Sequence, residues 1–305
     1  MSMIKSRLKS VRFFLFLAAI IALVLPLMAQ DPAIDRIATE LRTGTVPVRR
    51  EAARALGRVS LAQSVRLLQQ ALPNENHAPI RLEIVRALRT ITFQRYPGYR
   101  QALQAIGTAT NPRLESNELV RLRATEALWE AGKKDLLDPV PILKRSLADP
   151  SQRLRLAAVL MLRKLGTPAT IDVLASAALD KGQGQTIRLK AIEALGAVAL
   201  SDLGPVGRQI ATANISIFTH RGVDPVVPRQ ALIGWHERQI GYLSSIATDP
   251  SNGPTLMLRA VKSIGQIKDK SAIPTLQRII AARPHPSVTK HATRVLSHVM
   301  ARQYE

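Results

Sequence analysis

One short pattern recurs along this chain and leaves little room for any architecture other than stacked helix pairs. It reads as an aliphatic residue, an arginine, a small or aliphatic residue three places after the arginine, a small or apolar residue three further on, and an aliphatic residue. Val48-Arg49 leads to Ala52, Ala55 and Leu56, and Ile80-Arg81 leads to Ile84, Ala87 and Leu88. Val120-Arg121 leads to Ala124, Ala127 and Leu128, Leu154-Arg155 to Ala158, Met161 and Leu162, and Ile187-Arg188 to Ala191, Ala194 and Leu195. Two later copies lack the arginine: Leu256-Met257 with Ala260, Ser263 and Ile264, and Val288-Thr289 with Ala292, Val295 and Leu296. Residues 0, 4, 7 and 8 of each copy fall on one face of a helix with 3.6 residues per turn, and alanine at the centre of that face lets a second helix come close.

Measured between the first small positions, the copies are 32, 40, 34, 33, 69 and 32 residues apart. The gap of 69 is about two units, and Val227, Ala231, Gly234 and Trp235 read as a degraded copy inside it. Another helical segment precedes each marked one, as at Leu61 to Leu72, Tyr99 to Thr108, Pro139 to Leu147, Thr170 to Leu179, Glu237 to Thr248 and Ala272 to Ala281. Breakers such as Pro73-Asn74, Asn111-Pro112, Asp149-Pro150 and Asp249-Pro250 separate the two members of a pair. Gly57, Gly132, Gly166, Gly196 and Gly265 fall near the ends of second helices, where left-handed caps are expected. A helix, loop, helix, loop unit of this period leaves no space for strands.

The copies, above all Asp149-Pro150-Ser151-Gln152-Arg153-Leu154-Arg155-Leu156-Ala157-Ala158, resemble the second helix of HEAT-type repeats, including the short form found in phycobilisome-lyase-like HEAT proteins. The resemblance covers about residues 33–300. It implies an all-α, right-handed α-α superhelix of HEAT-like or ARM type, with about seven to eight helix pairs and the second helices lining the concave side. Because that family mostly supplies binding scaffolds, the resemblance speaks to fold and little to function.

The first thirty residues read separately. Lys5, Arg7, Lys9 and Arg12 precede an uncharged run from Phe13 to Leu25, and Pro26-Leu27-Met28-Ala29 forms a passable cleavage region. Residues 1–30 are therefore expected to be a secretory signal or, if retained, an N-terminal membrane anchor, with residues 31–300 as the solenoid, an irregular segment at 201–235 and a tail at 301–305. This places the chain in the periplasm or outside the cell, or tethers it to a membrane through residues 1–30 alone. There are no cysteines, which removes disulfides, thiolate nucleophiles and cysteine-held metals together. Of 43 basic residues only four precede Asp31, so residues 30–305 carry 39 basic against 22 acidic side chains, a net +17. Such an excess attracts acidic proteins and polyanions over roughly a Debye length, about 10 Å.

Two sets of basic residues follow from the repeat register. Arg49, Arg81, Arg121, Arg155 and Arg188 recur at one position; either they bond to loop carbonyls or to an aspartate in the turn, as Asp149 is placed to do for Arg155, or they line up as a ligand ladder. Arg50, Arg54, Arg86, Arg89, Arg123, Arg153, Lys164 and Lys190 lie off the small-residue face and form a candidate binding surface, or an ordinary solvated one. His220, Arg221, Trp235 and His236 in the irregular segment are further binding candidates, and Phe93, Arg95, Tyr96, Tyr99 and Arg100 form an aromatic and basic cluster. Catalytic patterns are nearly silent: six scattered histidines lack metal-ligand spacing, glycines occur singly, and no nucleophile elbow is present. The expectation is a non-catalytic scaffold, without cofactor or metal, that binds an acidic protein partner through a basic concave surface. Binding of an envelope polyanion or nucleic acid, and a lyase-like or glycosylase-like enzyme on the same fold, are the alternatives.

Overall fold

The computed structural model describes residues 32–59, 61–198, 226–267 and 269–301. Residues 1–30, most of the irregular segment including His220 and Arg221, and residues 302–305 lie outside that set. The described residues are all α apart from turns and one short 3-10 helix, and contain no strand. Fourteen helices follow one another: α1 (Pro32–Thr43), α2 (Val46–Val59), α3 (Ala62–Asn74), α4 (Ala78–Phe93), α5 (Tyr99–Thr108), α6 (Glu118–Lys133) and α7 (Val140–Ser146). They continue as α8 (Gln152–Leu165), α9 (Pro168–Leu179), α10 (Gln185–Ala197), α11 (Val226–Thr248), α12 (Gly253–Ile267), α13 (Ala272–Ala282) and α14 (Pro286–Ala301). Among the described residues no helix is long and apolar enough to cross a membrane.

The chain divides into two compact units, with the boundary at Ala105 and Ile106 inside α5. In the first, α2 packs on α4, α1 on α2 and α3 on α4. In the second, the even-numbered helices pack in succession, α6 on α8, α8 on α10, α10 on α12 and α12 on α14, while α9 meets α11 and α11 meets α13. Each unit is thus two layers of helices, with even-numbered helices in one layer and odd-numbered helices in the other.

Local chemistry sets the boundaries of α8 in a way the sequence makes plain. The Ser151 hydroxyl accepts the Leu154 N–H at 3.3 Å, which satisfies one of the free donors of the first turn. Leu154, Ala158, Met161 and Leu162, the pattern positions, are all buried. The helix stops at Gly166, whose φ of 58° is left-handed and whose N–H returns to the Leu162 carbonyl. The same positions build the core throughout: Ala52, Ala124, Ala158, Ala191 and Ala260 are buried, as are Leu56, Leu88, Leu128, Leu162 and Leu195. Each such leucine contributes about 1.5–3 kcal/mol through removal of its side chain from water.

Two expectations are corrected. The residues from Val227 to Trp235 are not the second helix of a pair of their own; they form the N-terminal half of α11, a 23-residue helix that packs with α12. The described residues therefore hold seven pairs. Apart from Gly166, the glycines expected to be caps lie within helices. A methyl at Gly57 would stand 2.8 Å from the Ala87 Cβ, and one at Gly196 would stand 2.5 Å from the Ser263 Cβ. What those two positions require is the close crossing of α2 on α4 and of α10 on α12.

Candidate functional site

The recurrent arginines brace the loops. Arg121, only 4% exposed, reaches backwards and forwards at once: Nη1 donates to the carbonyls of Glu115 and Ser116, both at 2.9 Å, in the loop before its own helix. Its Nε and Nη2 donate to the two oxygens of Asp149, at 2.8 and 2.9 Å, in the loop before the next even-numbered helix. Asp149 in turn accepts the Ser151 N–H at 2.8 Å, so the carboxylate also shapes the turn that starts α8. Arg49 repeats the arrangement, donating to the Gly44 carbonyl at 3.0 Å and to both oxygens of Glu75 at 3.0 and 3.3 Å. Arg188 donates to the Ala178 carbonyl at 2.9 Å and to the Asn252 side-chain oxygen. Arg81 donates to the Glu75 carbonyl at 2.8 Å. Arg155 donates to the carbonyls of Asp149 and Pro150 at 2.6 and 3.1 Å, but its buried Nε meets no acceptor. The expected pairing of Asp149 with Arg155 is thus corrected: the carboxylate serves Arg121, the arginine of the repeat before it, and Arg155 takes the carbonyl.

The second basic set occupies a different side of the same helices. Glu83 on α4 is only 5% exposed, yet three arginines converge on it: Arg54 at 3.3 and 3.4 Å, Arg86 at 3.4 Å and Arg50 at 3.5 Å. Burial alone would raise the Glu83 carboxyl; the hydrogen bond and charge of Arg54, with Arg86 and Arg50, outweigh it and hold the group below its ordinary value. Arg50, Arg54 and Arg86 remain 39–55% exposed at the side chain, so their outer edges still face water. The Arg89 guanidinium lies 4.6 Å over the Phe93 ring. Next to it, Arg95 adopts a left-handed φ of 54°, and Arg100 donates to the Tyr99 hydroxyl at 3.3 Å.

In the second unit Arg123 pairs with Glu126 at 2.6 Å, and exposed Arg153 reaches Glu118 at 4.0 Å. Glu193 receives Lys190 and Arg259, each at 2.8 Å. Burial would raise the Glu193 carboxyl, but the Lys190 hydrogen bond and the charges of Arg259, Lys190 and Arg163 bring it below its usual value. The Trp129 ring lies 4.8 Å from Lys133 Nζ and 5.7 Å from Lys164 Nζ.

Trp235 packs against the core of this unit, and His236 Nδ1 sits 2.9 Å from Asp269, with little of the imidazole exposed. Asp269 also accepts from the Ser271 N–H and hydroxyl at the start of α13. Both candidates are engaged in holding α11 to its neighbours. Among the described residues no group of three or more histidines or carboxylates is placed to hold a metal ion. A cleft of about 650 Å³ in the first unit is lined by apolar residues, including Leu41 and Leu67, together with Arg42, Arg49, Glu75 and His77. Sequence reasoning had not brought Glu75 and His77 to that place.

One family, described as HEAT repeats, matches residues 112–196. Comparison with the curated proteins finds no match. Among solved structures, YibA of Escherichia coli is similar at a TM-score of 0.44 and 15% identity, over 90% of this chain and 85% of that one. Human deoxyhypusine hydroxylase in complex with glycerol gives 0.37 and 17%, over 90% and 99%. The complex of CpcE and CpcF of phycocyanin lyase from a Nostoc species gives 0.37 and 16%, over 87% and 94%. With its two layers of paired helices and its HEAT-repeat match at residues 112–196, the chain has the α-solenoid architecture of HEAT and ARM repeats.

Proposed function

We propose that the chain is a non-catalytic scaffold that binds an acidic protein partner through the exposed basic side chains of its even-numbered helices, and that residues 1–30 export it or tether it to a membrane. The observation that carries this reading is the gathering of Arg50, Arg54 and Arg86 on Glu83. A buried carboxylate fixes three guanidiniums that would otherwise swing freely, while leaving donors turned to water. An incoming acidic group then meets oriented cations with part of their ordering cost already met, and three arginines against two carboxylates, since Arg54 also donates to Glu51 at 2.6 Å, leave a net local positive charge. Arg123, Arg153 and Lys190 extend basic character to the second unit, and the excess over residues 30–305 steers acidic partners at a distance.

The test is crosslinking of the full-length chain in cells, followed by mass spectrometry of the adducts and the intact mass of the chain. A dominant protein adduct that disappears when Arg50, Arg54 and Arg86 are changed together to Gln supports the reading. Heterogeneous anionic material bound with steep salt dependence overturns it in favour of a polyanion binder. A mass beginning near Gln30 or Asp31 indicates cleavage, and an intact N-terminus indicates an anchor.

A further inference from the structure

Resting on the acidic-partner reading, we infer that the α6 and α8 face of the second unit carries a distinct docking patch, formed by Leu160, Trp129, Lys133 and Lys164, for an acidic peptide segment bearing one apolar anchor residue between its carboxylates. The repeat register points to Leu160 first. Five residues after the recurrent arginine position stand Arg54, Arg86, Glu126, Glu193, Lys262 and Arg294, all charged, as befits a helix face turned to water. At α8 the same position is Leu160, and it is 48% exposed. An isolated exposed leucine is ordinary; this one has a particular neighbourhood.

One helical turn on lies Lys164, on the same face of α8, and its ammonium reaches across to the ring of Trp129 on α6. Lys133, on α6 itself, approaches the same ring. Among the described residues neither lysine has a carboxylate within ion-pairing distance, unlike Arg123 and Lys190 on the same layer of helices, which hold Glu126 and Glu193. The patch therefore combines two cations without acidic partners, a half-buried indole and an exposed aliphatic side chain. Complementary chemistry is a pair of carboxylates for the lysines and one apolar side chain to cover Leu160 and the free edge of Trp129. A bilayer is a poor fit, because one exposed leucine supplies far too little apolar surface to hold it.

The experiment uses the full-length chain with Trp235→Phe, which leaves Trp129 as the sole tryptophan because the chain has two. Two synthetic Asp- and Glu-rich peptides are titrated, identical except that one has Leu and the other Ser at the centre, and Trp129 emission is followed. The Leu peptide is expected to bind roughly tenfold or more tightly than the Ser peptide, the worth of burying one leucine side chain, with a blue shift of emission. Leu160→Glu should abolish the preference and Leu160→Met should retain it, both with unchanged helix content, since the position is exposed. Equal binding of the two peptides, or a preference that survives Leu160→Glu, overturns the inference. Acidic peptide binding that falls with Arg54→Ala but ignores Leu160 ends this proposal while sparing the scaffold reading, whereas no binding of either peptide ends both. An equivalent, Leu160-dependent emission shift with anionic phospholipid vesicles would replace the peptide by a membrane surface and likewise overturn it.

Discussion

Arg121 and Arg54 stand on equivalent helices at positions five residues apart in the repeat register, and they do opposite work. Arg121 is buried, with donors given to two carbonyls of one loop and both carboxylate oxygens of the next. Arg54 is solvent-facing and shares a carboxylate with two other arginines. The difference teaches that recurrence alone does not mark a binding residue in a repeat protein. A buried guanidinium whose donors are used up has nothing left to offer a partner. One held at the surface between the Glu83 and Glu51 carboxylates, beside two other arginines, keeps an outer edge turned to water.

That contrast can be broken most severely at Arg121. Arg121→Ala leaves the Asp149 carboxylate buried beside a cavity and should cost about 3–5 kcal/mol, read as a shift in urea midpoint. Binding of an acidic peptide by the folded fraction should not change. Arg155→Ala sharpens the comparison, because that side chain braces only its own loop. Its loss should cost less, about 2 kcal/mol, in the same unfolding assay.

Glu83→Gln comes next. The mutation should remove about 1 kcal/mol at neutral pH, the scale of a partly solvated ion pair, and it should flatten the acid limb of the stability curve. The sign follows from the depressed folded pKa. As pH falls into the ordinary glutamate range, near 4.3, the unfolded chain takes up the proton before the folded one. The stabilisation held above that range is thus lost progressively as pH falls through the folded value. Arg54→Ala is expected to lower the urea midpoint by no more than Glu83→Gln does, since Arg50 and Arg86 still face Glu83, yet to weaken acidic-peptide binding several-fold, with a reduced salt dependence.

The fold was largely legible in the sequence because its core is periodic. Alanine and leucine at fixed offsets from an arginine can face inward together only on a helix, and those positions are the buried ones. Contacts between units were less legible. Nothing local tells that Asp149 is held by Arg121, since the pairing crosses a whole helix pair. Gly57 and Gly196 look like caps from their place near helix ends; their real constraint comes from Ala87 and Ser263, residues of another helix. Val227 to Trp235 mimic a second helix because small and apolar residues at helical spacing fit either layer, and packing alone assigns them to α11. Of the candidate surface, the basic residues could be named from register but Glu83 could not be foreseen as their centre, because its burial depends on α2 lying across α4. Leu160 was available to sequence reasoning as the one uncharged residue in a column of charges, a signal visible only after the copies are aligned.

The braces also set a rule for editing the chain. Arg49 finds Glu75 and Arg121 finds Asp149 at separations of 26 and 28 residues, each one repeat along. The linkage is therefore written as a phase, and a whole unit removed or duplicated within a compact stack would leave every remaining arginine with a loop to grip. A few residues inserted between an arginine and its acid would shift that phase, and the helices on either side would lose their grip on each other while every one of them could still form.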